Sequence, residues 1–303
     1  MPSFYSHGKL LITAEYLVLD GATAFAIPTK KGQSLTVEEI ASPKLIWKSV
    51  LHDHSVWFET EISLPIAPDI QSEDPVIQKL YEILLAAQSL QSDFLNTTQG
   101  YTAVSTLEFP RNWGLGSSST LISNIAQWAQ INPYALLEKT FGGSGYDIAC
   151  ATASTPITYI RRGISPIVKT VDFNPYFKNQ LFFIHLNKKQ NSRDSISHYR
   201  SLEAFEKELH IDSVNAITKS ILNPQNSLHH FEGAIMYHEA ELSSILKTST
   251  IKQQLFSDYP NAIKSLGGWG GDFILATGTS EDMNYFKEKG YTTIVPFSEM
   301  ILS

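Results

Sequence analysis

One cysteine, Cys150, is the only thiol in the 303 residues. A disulfide within the chain is therefore excluded, and so is a zinc site built on several thiolates. Long apolar runs are missing too. No stretch reaches the roughly 18 apolar residues expected of a membrane-spanning helix. The first apolar segment, Leu10 to Leu19, is interrupted by Glu15 and preceded only by Lys9, unlike a secretory signal. Positive charge is in deficit: Lys plus Arg number 23 against 30 Asp plus Glu, for a net charge of -7. That balance argues against non-specific nucleic-acid binding. It leaves room for a local anion site made by a few cations and main-chain N–H groups. Internal repeats and low-complexity tracts are absent as well. What is present is 43% hydrophobic and 17% charged residues, an ordinary globular balance. The expectation is a cytoplasmic protein long enough for two domains, with no membrane and no nucleic acid among its partners.

Apolar spacing predicts strands at Leu10 to Leu19, Ser34 to Ile40, Ser55 to Ile62 and Tyr101 to Phe109. Asp74-Pro75 opens a helix whose Val76, Ile77, Leu80, Ile83, Leu84 and Ala87 share one face. A second helix follows Gly116, and a third starts at Asn132-Pro133, with Asn as cap and Pro at the first position. Beyond a strand at Thr155 to Ile160 the pattern breaks around Asn174-Pro175. This predicts a division into residues 1–174 and 175–303. The second part reads as a strand at Leu181 to Leu186, helices from about Ser192 to Leu246, strands at Phe273 to Thr277 and Thr292 to Val295, and a helix after Ser280. Strands and helices mix without regular βαβ alternation, which favours α+β over a doubly wound sheet.

Three glycine-rich stretches carry the chemistry. Gly114-Leu115-Gly116-Ser117-Ser118-Ser119 lies between a strand and an amphipathic helix. Such a loop lets main-chain N–H groups converge on a phosphate at a helix N-terminus, with the serine hydroxyls available to phosphate oxygens or Mg2+. It is neither a Walker A loop nor a dinucleotide fingerprint, and by spacing alone it is equally a plain strand–helix turn. Gly142-Gly143-Ser144-Gly145-Tyr146-Asp147 places a carboxylate where it either caps a helix or accepts a proton from a substrate hydroxyl. Gly267-Gly268-Trp269-Gly270-Gly271-Asp272 is either a strained turn or a backbone passing close to a ligand.

In this order, and together with Ser6 to Leu19, the three stretches resemble the motifs of the GHMP kinases, the family of galactokinase and of homoserine, mevalonate and phosphomevalonate kinases. Ser6-His7-Gly8-Lys9 to Glu15-Tyr16 is similar to the family's first motif, with His7 in place of its proline. Gly114 to Ser119 matches the phosphate loop. Gly143-Ser144-Gly145-Tyr146-Asp147-Ile148-Ala149 is similar to a segment of phosphomevalonate kinases and to that of a bacterial subgroup with a poorly defined substrate. Gly267 to Asp272 resembles the third motif, with Trp269 replacing a glycine.

The resemblance implies a two-domain α+β fold, with a half like ribosomal protein S5 domain 2 followed by a ferredoxin-like half. It implies ATP and Mg2+ as cofactors and a small-molecule acceptor, foremost mevalonate or phosphomevalonate. Homoserine or a sugar is the alternative acceptor, and a non-catalytic nucleotide- or metabolite-binding module on the same fold is the alternative role. It is compatible with a homodimer. Asp147 and Lys9 are then the catalytic pair, although Lys9 read alone is a surface lysine. Gly114, Leu115, Gly116, Ser117, Ser118 and Ser119 hold ATP. Ser118 and Glu138 are the Mg2+ candidates, Glu138 being otherwise an exposed helix residue. Glu15, Ser144, Gly145, Lys189, Ser192, Gly267, Gly268, Trp269, Gly270 and Gly271 fall on the substrate side. His238, on a helix bordering the acceptor pocket in the family, reads as a packing residue.

Overall fold

The computed structural model describes residues 1–188, 196–197, 199–201, 204–268 and 271–302. Its first sheet is organised by a 17-residue strand, β2 (Ala24–Ile40). β1 (Ser3–Thr13) runs antiparallel along β2, from Ser3 opposite Thr36 to Thr13 opposite Phe25. Beyond β2 the sheet continues through β5 (Gly100–Leu107), β3 (Lys44–Val50) and β4 (Val56–Ser63) on one side. On the other it continues through β6 (Ile157–Ile160) and β7 (Ile167–Thr170). β3 and β5 are parallel and every other pair is antiparallel.

One face of this sheet is covered by α1 (Pro75–Leu90), α2 (Ser117–Ala129) and α3 (Pro133–Thr140). Asp74 caps α1 by accepting from the Val76 and Ile77 N–H groups, and Pro75 occupies the position that needs no donor. The helical spacing then turns Leu80, Ile83, Leu84 and Ala87 onto Leu35, Val37, Leu45 and Trp47. Each such side chain contributes about 1.5–3 kcal/mol by leaving water.

The second sheet has the order β11-β8-β10-β9, all antiparallel: β8 is Leu181–His185, β9 Ile263–Leu266, β10 Phe273–Thr277 and β11 Ile294–Pro296. Numbered within the sheet this is four-one-three-two. Helices lie in the first and last crossovers, which is the ferredoxin-like βαββαβ arrangement. All five residues of β8 are buried because the sheet is covered on both sides. Leu181 and Phe183 join one core cluster, Phe182 and Ile184 another. The cluster on the Phe183 side also contains Leu10, Phe25, Phe173 and Phe231, so the two sheets share a core. The long helices α5 (Ala204–Ile221) and α6 (Leu228–Leu246) follow β8. They send Val214 and Leu242 into a third cluster with Leu11, Tyr16 and Leu17.

Several elements differ from the sequence reading. The strand expected at Leu10 to Leu19 starts at Ser3 and ends at Thr13, because Ala14 and Tyr16 take positive φ values of 68° and 64°. Leu17–Asp20 is a 3-10 helix. The short strands β3, β7 and β9 are additions. Among the described residues, no helix is long and apolar enough to cross a membrane.

Candidate active site

A cavity of about 350 Å³ opens where β1, α2, α4 (Tyr146–Thr152) and the turn between β9 and β10 meet. Lys9 and Leu11 share one face of β1 and both line it. A register shift between His7 and Lys9 brings the strand against the glycine loop, where the Lys9 N–H donates to the Leu115 carbonyl at 3.0 Å. The Lys9 Nζ donates to the Gly114 carbonyl, also at 3.0 Å. Leu115 itself is fully buried in the shared core and anchors the loop from below.

Gly116 caps α2 at φ 90°, a conformation that favours glycine. Among the described residues no side chain caps this helix, and Ser117, Ser118 and Ser119 of its first turn line the cavity. A 13-residue helix ending this way offers a partial positive charge to an anion. Asp147 sits in the first turn of α4. Its Oδ2 accepts a hydrogen bond from the Ser119 hydroxyl, so the serine loop and the candidate catalytic carboxylate touch directly. The preceding turn is fixed by the Tyr159 hydroxyl, which donates to the Ser144 carbonyl at 2.7 Å. Ser144 lines the cavity, and Gly145 caps α4 behind it.

The third stretch arrives from the second sheet. Gly267, Gly268 and Asp272 line the cavity. The Asp272 carboxylate packs so closely on Gly114 that a Cβ there would overlap it. Gly271 stays off the wall, its Cα facing the Gly268 and Leu266 carbonyls. Trp269, Gly270, Lys189 and Ser192 lie outside the described residues.

Glu138 is not brought to the cavity. On α3 the buried positions are Leu136 and Leu137, and Leu137 forms the wall, so the next residue turns to solvent beside Gly163. Glu15 does line the cavity, although it is only 3% exposed. His238, fully buried, accepts the Ala14 N–H at Nε2 over 3.0 Å.

The electrostatics follow from this packing. Burial pulls against the Lys9 ammonium, but Tyr146, Asp147 and Asp272 outweigh it, and the net shift is upward. Lys9 therefore stays charged, with the Tyr146 ring 5.6 Å away. Burial pushes the Tyr146 hydroxyl up to about 12 despite Lys9. Burial also pushes Glu15 up to about 7, with Lys264 opposing it.

A second cavity of about 300 Å³ adjoins the first and shares Arg111, Ser117, Ser118 and Phe141 with it. Its other walls are mainly apolar, including Val50, Trp57, Val76 and Leu80. The Arg111 guanidinium stacks 3.7 Å from the centre of the Trp57 ring. Arg111 was not singled out by the sequence reading, although it stands in Pro110-Arg111-Asn112-Trp113, just ahead of the glycine loop. Tyr146 and Asp272 lay inside the quoted motifs without an assigned part.

The residues present fit a nucleoside triphosphate: an uncapped helix N-terminus and two cations border a nucleoside-sized apolar cavity. They also fit Mg2+ as a guest of such a ligand. Among the described residues no cluster of three or more His, Cys, Asp or Glu could hold a metal alone. Mg2+ characteristically takes one or two carboxylates and fills its remaining positions from phosphates and water, and Asp147 with Ser118 and Ser119 offers such a partial set.

No protein-family model matches the sequence, and neither does any curated protein. Solved structures do match. A mevalonate kinase superposes with a TM-score of 0.72 over 100% of both chains at 15% identity. The Streptococcus pneumoniae phosphomevalonate kinase, solved with phosphomevalonate and AMPPNP, gives 0.72 at 16% identity over 98% of this chain and 100% of its own. The Lactococcus lactis galactokinase, solved with galactose, gives 0.69 at 12% identity over 99% of this chain and 93% of its own. At these identities the likeness is one of fold, and from end to end the chain has the fold of the GHMP kinases.

Proposed function

We propose that the protein is an ATP-dependent phosphotransferase of the GHMP kinase type, acting on a small alcohol or phosphate acceptor, foremost mevalonate or phosphomevalonate. The observation that carries this reading is the meeting of Lys9, Asp147, the α2 N-terminus and Asp272 around one cavity. The four come from separate motifs. The neighbours in fold include a mevalonate kinase, a phosphomevalonate kinase and a galactokinase, and one of them holds an ATP analogue.

When bound, Mg-ATP supplies the γ-phosphorus as electrophile. The first-turn N–H groups of α2 and the hydroxyls of Ser117 and Ser118 would hold phosphate oxygens, and Arg111 with Trp57 would border the base. Asp147 accepts the proton of the attacking hydroxyl, or orients that hydroxyl for in-line attack. Lys9, kept charged by its surroundings, offsets the negative charge that builds up during transfer. Leu11, Tyr16, Val18 and Leu19, with Glu15 among them, form the acceptor side.

The test is ADP release from Mg-ATP against mevalonate, phosphomevalonate, homoserine and galactose. One acceptor is expected to support turnover. In Asp147→Asn that turnover should fall by about 10²–10⁴ while Mg-AMPPNP still binds. Nucleotide binding with no turnover on any acceptor would make the chain a binding module instead.

A further inference from the structure

Behind the acceptor side of the cavity lies a dry cluster of ionisable groups. Lys264, on β9, has no exposed surface. Its Nζ donates to Glu15 Oε1 at 2.6 Å, to Glu239 Oε1 at 3.3 Å and to the Ser265 carbonyl at 3.0 Å. An ammonium has three N–H bonds, so all three are used. Glu239 lies on α6 and is equally buried. Lys264 does not reach the cavity, but Glu15 lines it.

Among the described residues, the second oxygen of Glu15 has no hydrogen-bond partner. His238 Nε2 is 3.3 Å from it. That nitrogen already accepts the Ala14 N–H, so its lone pair is turned to a donor and the ring proton belongs on Nδ1. Burial and Lys264 hold the imidazole well below its ordinary range, in keeping with a neutral ring. His238 therefore gives Glu15 no proton. Among the described residues, Lys264 is the one side chain that donates to the Glu15 carboxylate. Glu239 competes for the same ammonium, and the pair of carboxylates outnumbers the one cation.

We propose that Lys264 is a positioning residue: from outside the cavity it sets the orientation and charge of Glu15, and so governs recognition of the acceptor without touching the nucleotide side. The proposal rests on the phosphotransferase reading only in naming the ligand that Glu15 meets. Glu239 tunes the grip, because whatever share of the ammonium it draws is lost to Glu15. The groups facing Glu15 are Lys264 from the second sheet and His238 and Glu239 from α6, with Lys9 on the same cavity wall.

Two measurements test this on the full-length protein. The first follows the Glu15 side-chain carboxyl by carbon-13 NMR across pH, assigned with Glu15→Gln. In Glu239→Gln, where Lys264 serves Glu15 alone, the titration should move down by at least about one pH unit. In Lys264→Met it should move up, and in Lys264→Arg it should return towards wild type. The second is steady-state turnover with Mg-ATP and whichever panel acceptor is active. Lys264→Met should raise the acceptor KM at least about tenfold and leave the ATP KM within about twofold, with partial recovery in Lys264→Arg. A Glu15 titration that is unchanged in Glu239→Gln overturns the proposal, as does a parallel rise in both KM values. Glu239→Gln keeps a one-to-one ion pair, so its titration decides the matter even where Lys264→Met does not fold. If no acceptor, alcohol or phosphate, is phosphorylated the phosphotransferase reading fails, and the carboxyl titration still decides whether Lys264 controls Glu15.

Discussion

Lys9 and Lys264 make an instructive pair. Both are withdrawn from bulk water and both face carboxylates. Lys264 is tied to two glutamates and a carbonyl, within a dry cluster that extends from residue 15 to residue 265. Lys9 is only partly buried, hydrogen-bonds the Gly114 carbonyl, and lines a cavity together with Asp147 and Asp272. A lysine whose donors are saturated organises its neighbours, whereas one that borders a cavity meets what enters. The same residue type thus serves as a fastening in one region and as a contact in the other, and burial with donor count separates the two.

That contrast can be broken most forcefully at Lys264. Removing one partner of a buried ionic cluster leaves carboxylates uncompensated, so Lys264→Met should lower stability by about 3–5 kcal/mol in urea denaturation. Loss of less than about 1 kcal/mol, the range of an exposed ion pair such as Lys44–Glu61, would show that the cluster is not dry. Next in size is a dependence on pH. Glu15 is raised from 4.5 to about 7 in the folded protein, so the folded state holds a proton that the unfolded state has released. Its contribution is complete below about 4.5 and is lost as pH rises through about 7, a change of about 3 kcal/mol at about 1.4 kcal/mol per unit. Comparing melting curves of wild type and Glu15→Gln from pH 4.5 to 7.5 isolates this contribution, and parallel curves would refute it.

At Lys9 the effect should appear in binding instead. Lys9→Met forfeits a charge-assisted contact worth about 1.5–3 kcal/mol, so Mg-AMPPNP should bind roughly ten- to a hundredfold more weakly by calorimetry, with little change in the urea midpoint. A large stability loss with unchanged binding would erase the distinction between the two lysines. The smallest effect is expected at Trp57. Its ring steadies Arg111 by a cation–π contact of about 0.5–1 kcal/mol. Trp57→Ala should weaken nucleotide binding a few-fold and leave the acceptor KM unchanged.

The same contrast explains what could be read from the sequence. The nucleotide side is written in short local motifs: Gly114 to Ser119, Gly143 to Asp147, Gly267 to Asp272. Glycines at a strand–helix junction announce their purpose by composition. The α1 boundary and the α3 cap were legible for the same reason, since Asp74-Pro75 and Asn132-Pro133 act within one turn. Lys264 was not legible. It stands in an ordinary Ile-Lys-Ser-Leu strand, and its partner Glu15 is 249 residues away. Glu138 shows the opposite failure, because sequence proximity to Asp147 said nothing about which side of α3 it would occupy. Arg111 and Trp57 escaped because their contact depends on the register of β4 against a loop, which composition does not encode.

Gly114 has a consequence for how this sequence can change. Two conditions hold it as glycine: a φ of 65° and the Asp272 carboxylate lying against its Cα. The first is a matter of the local backbone, while the second belongs to a residue 158 positions later in the chain. A side chain at 114 is thus forbidden in the present background and becomes sterically open only after position 272 has shrunk. At Gly116 the steric half of the rule is looser, since a Cβ there would meet the flexible Lys9 stem at 3.3 Å, while its φ of 90° still favours glycine. Substitutions at 114 and 272 are therefore ordered in evolutionary time. Among relatives with this fold, a side chain at the first position should be found only with a smaller residue at the second, and a library randomised at both should recover at 114 chiefly Asn and Asp, which tolerate a φ of 65°.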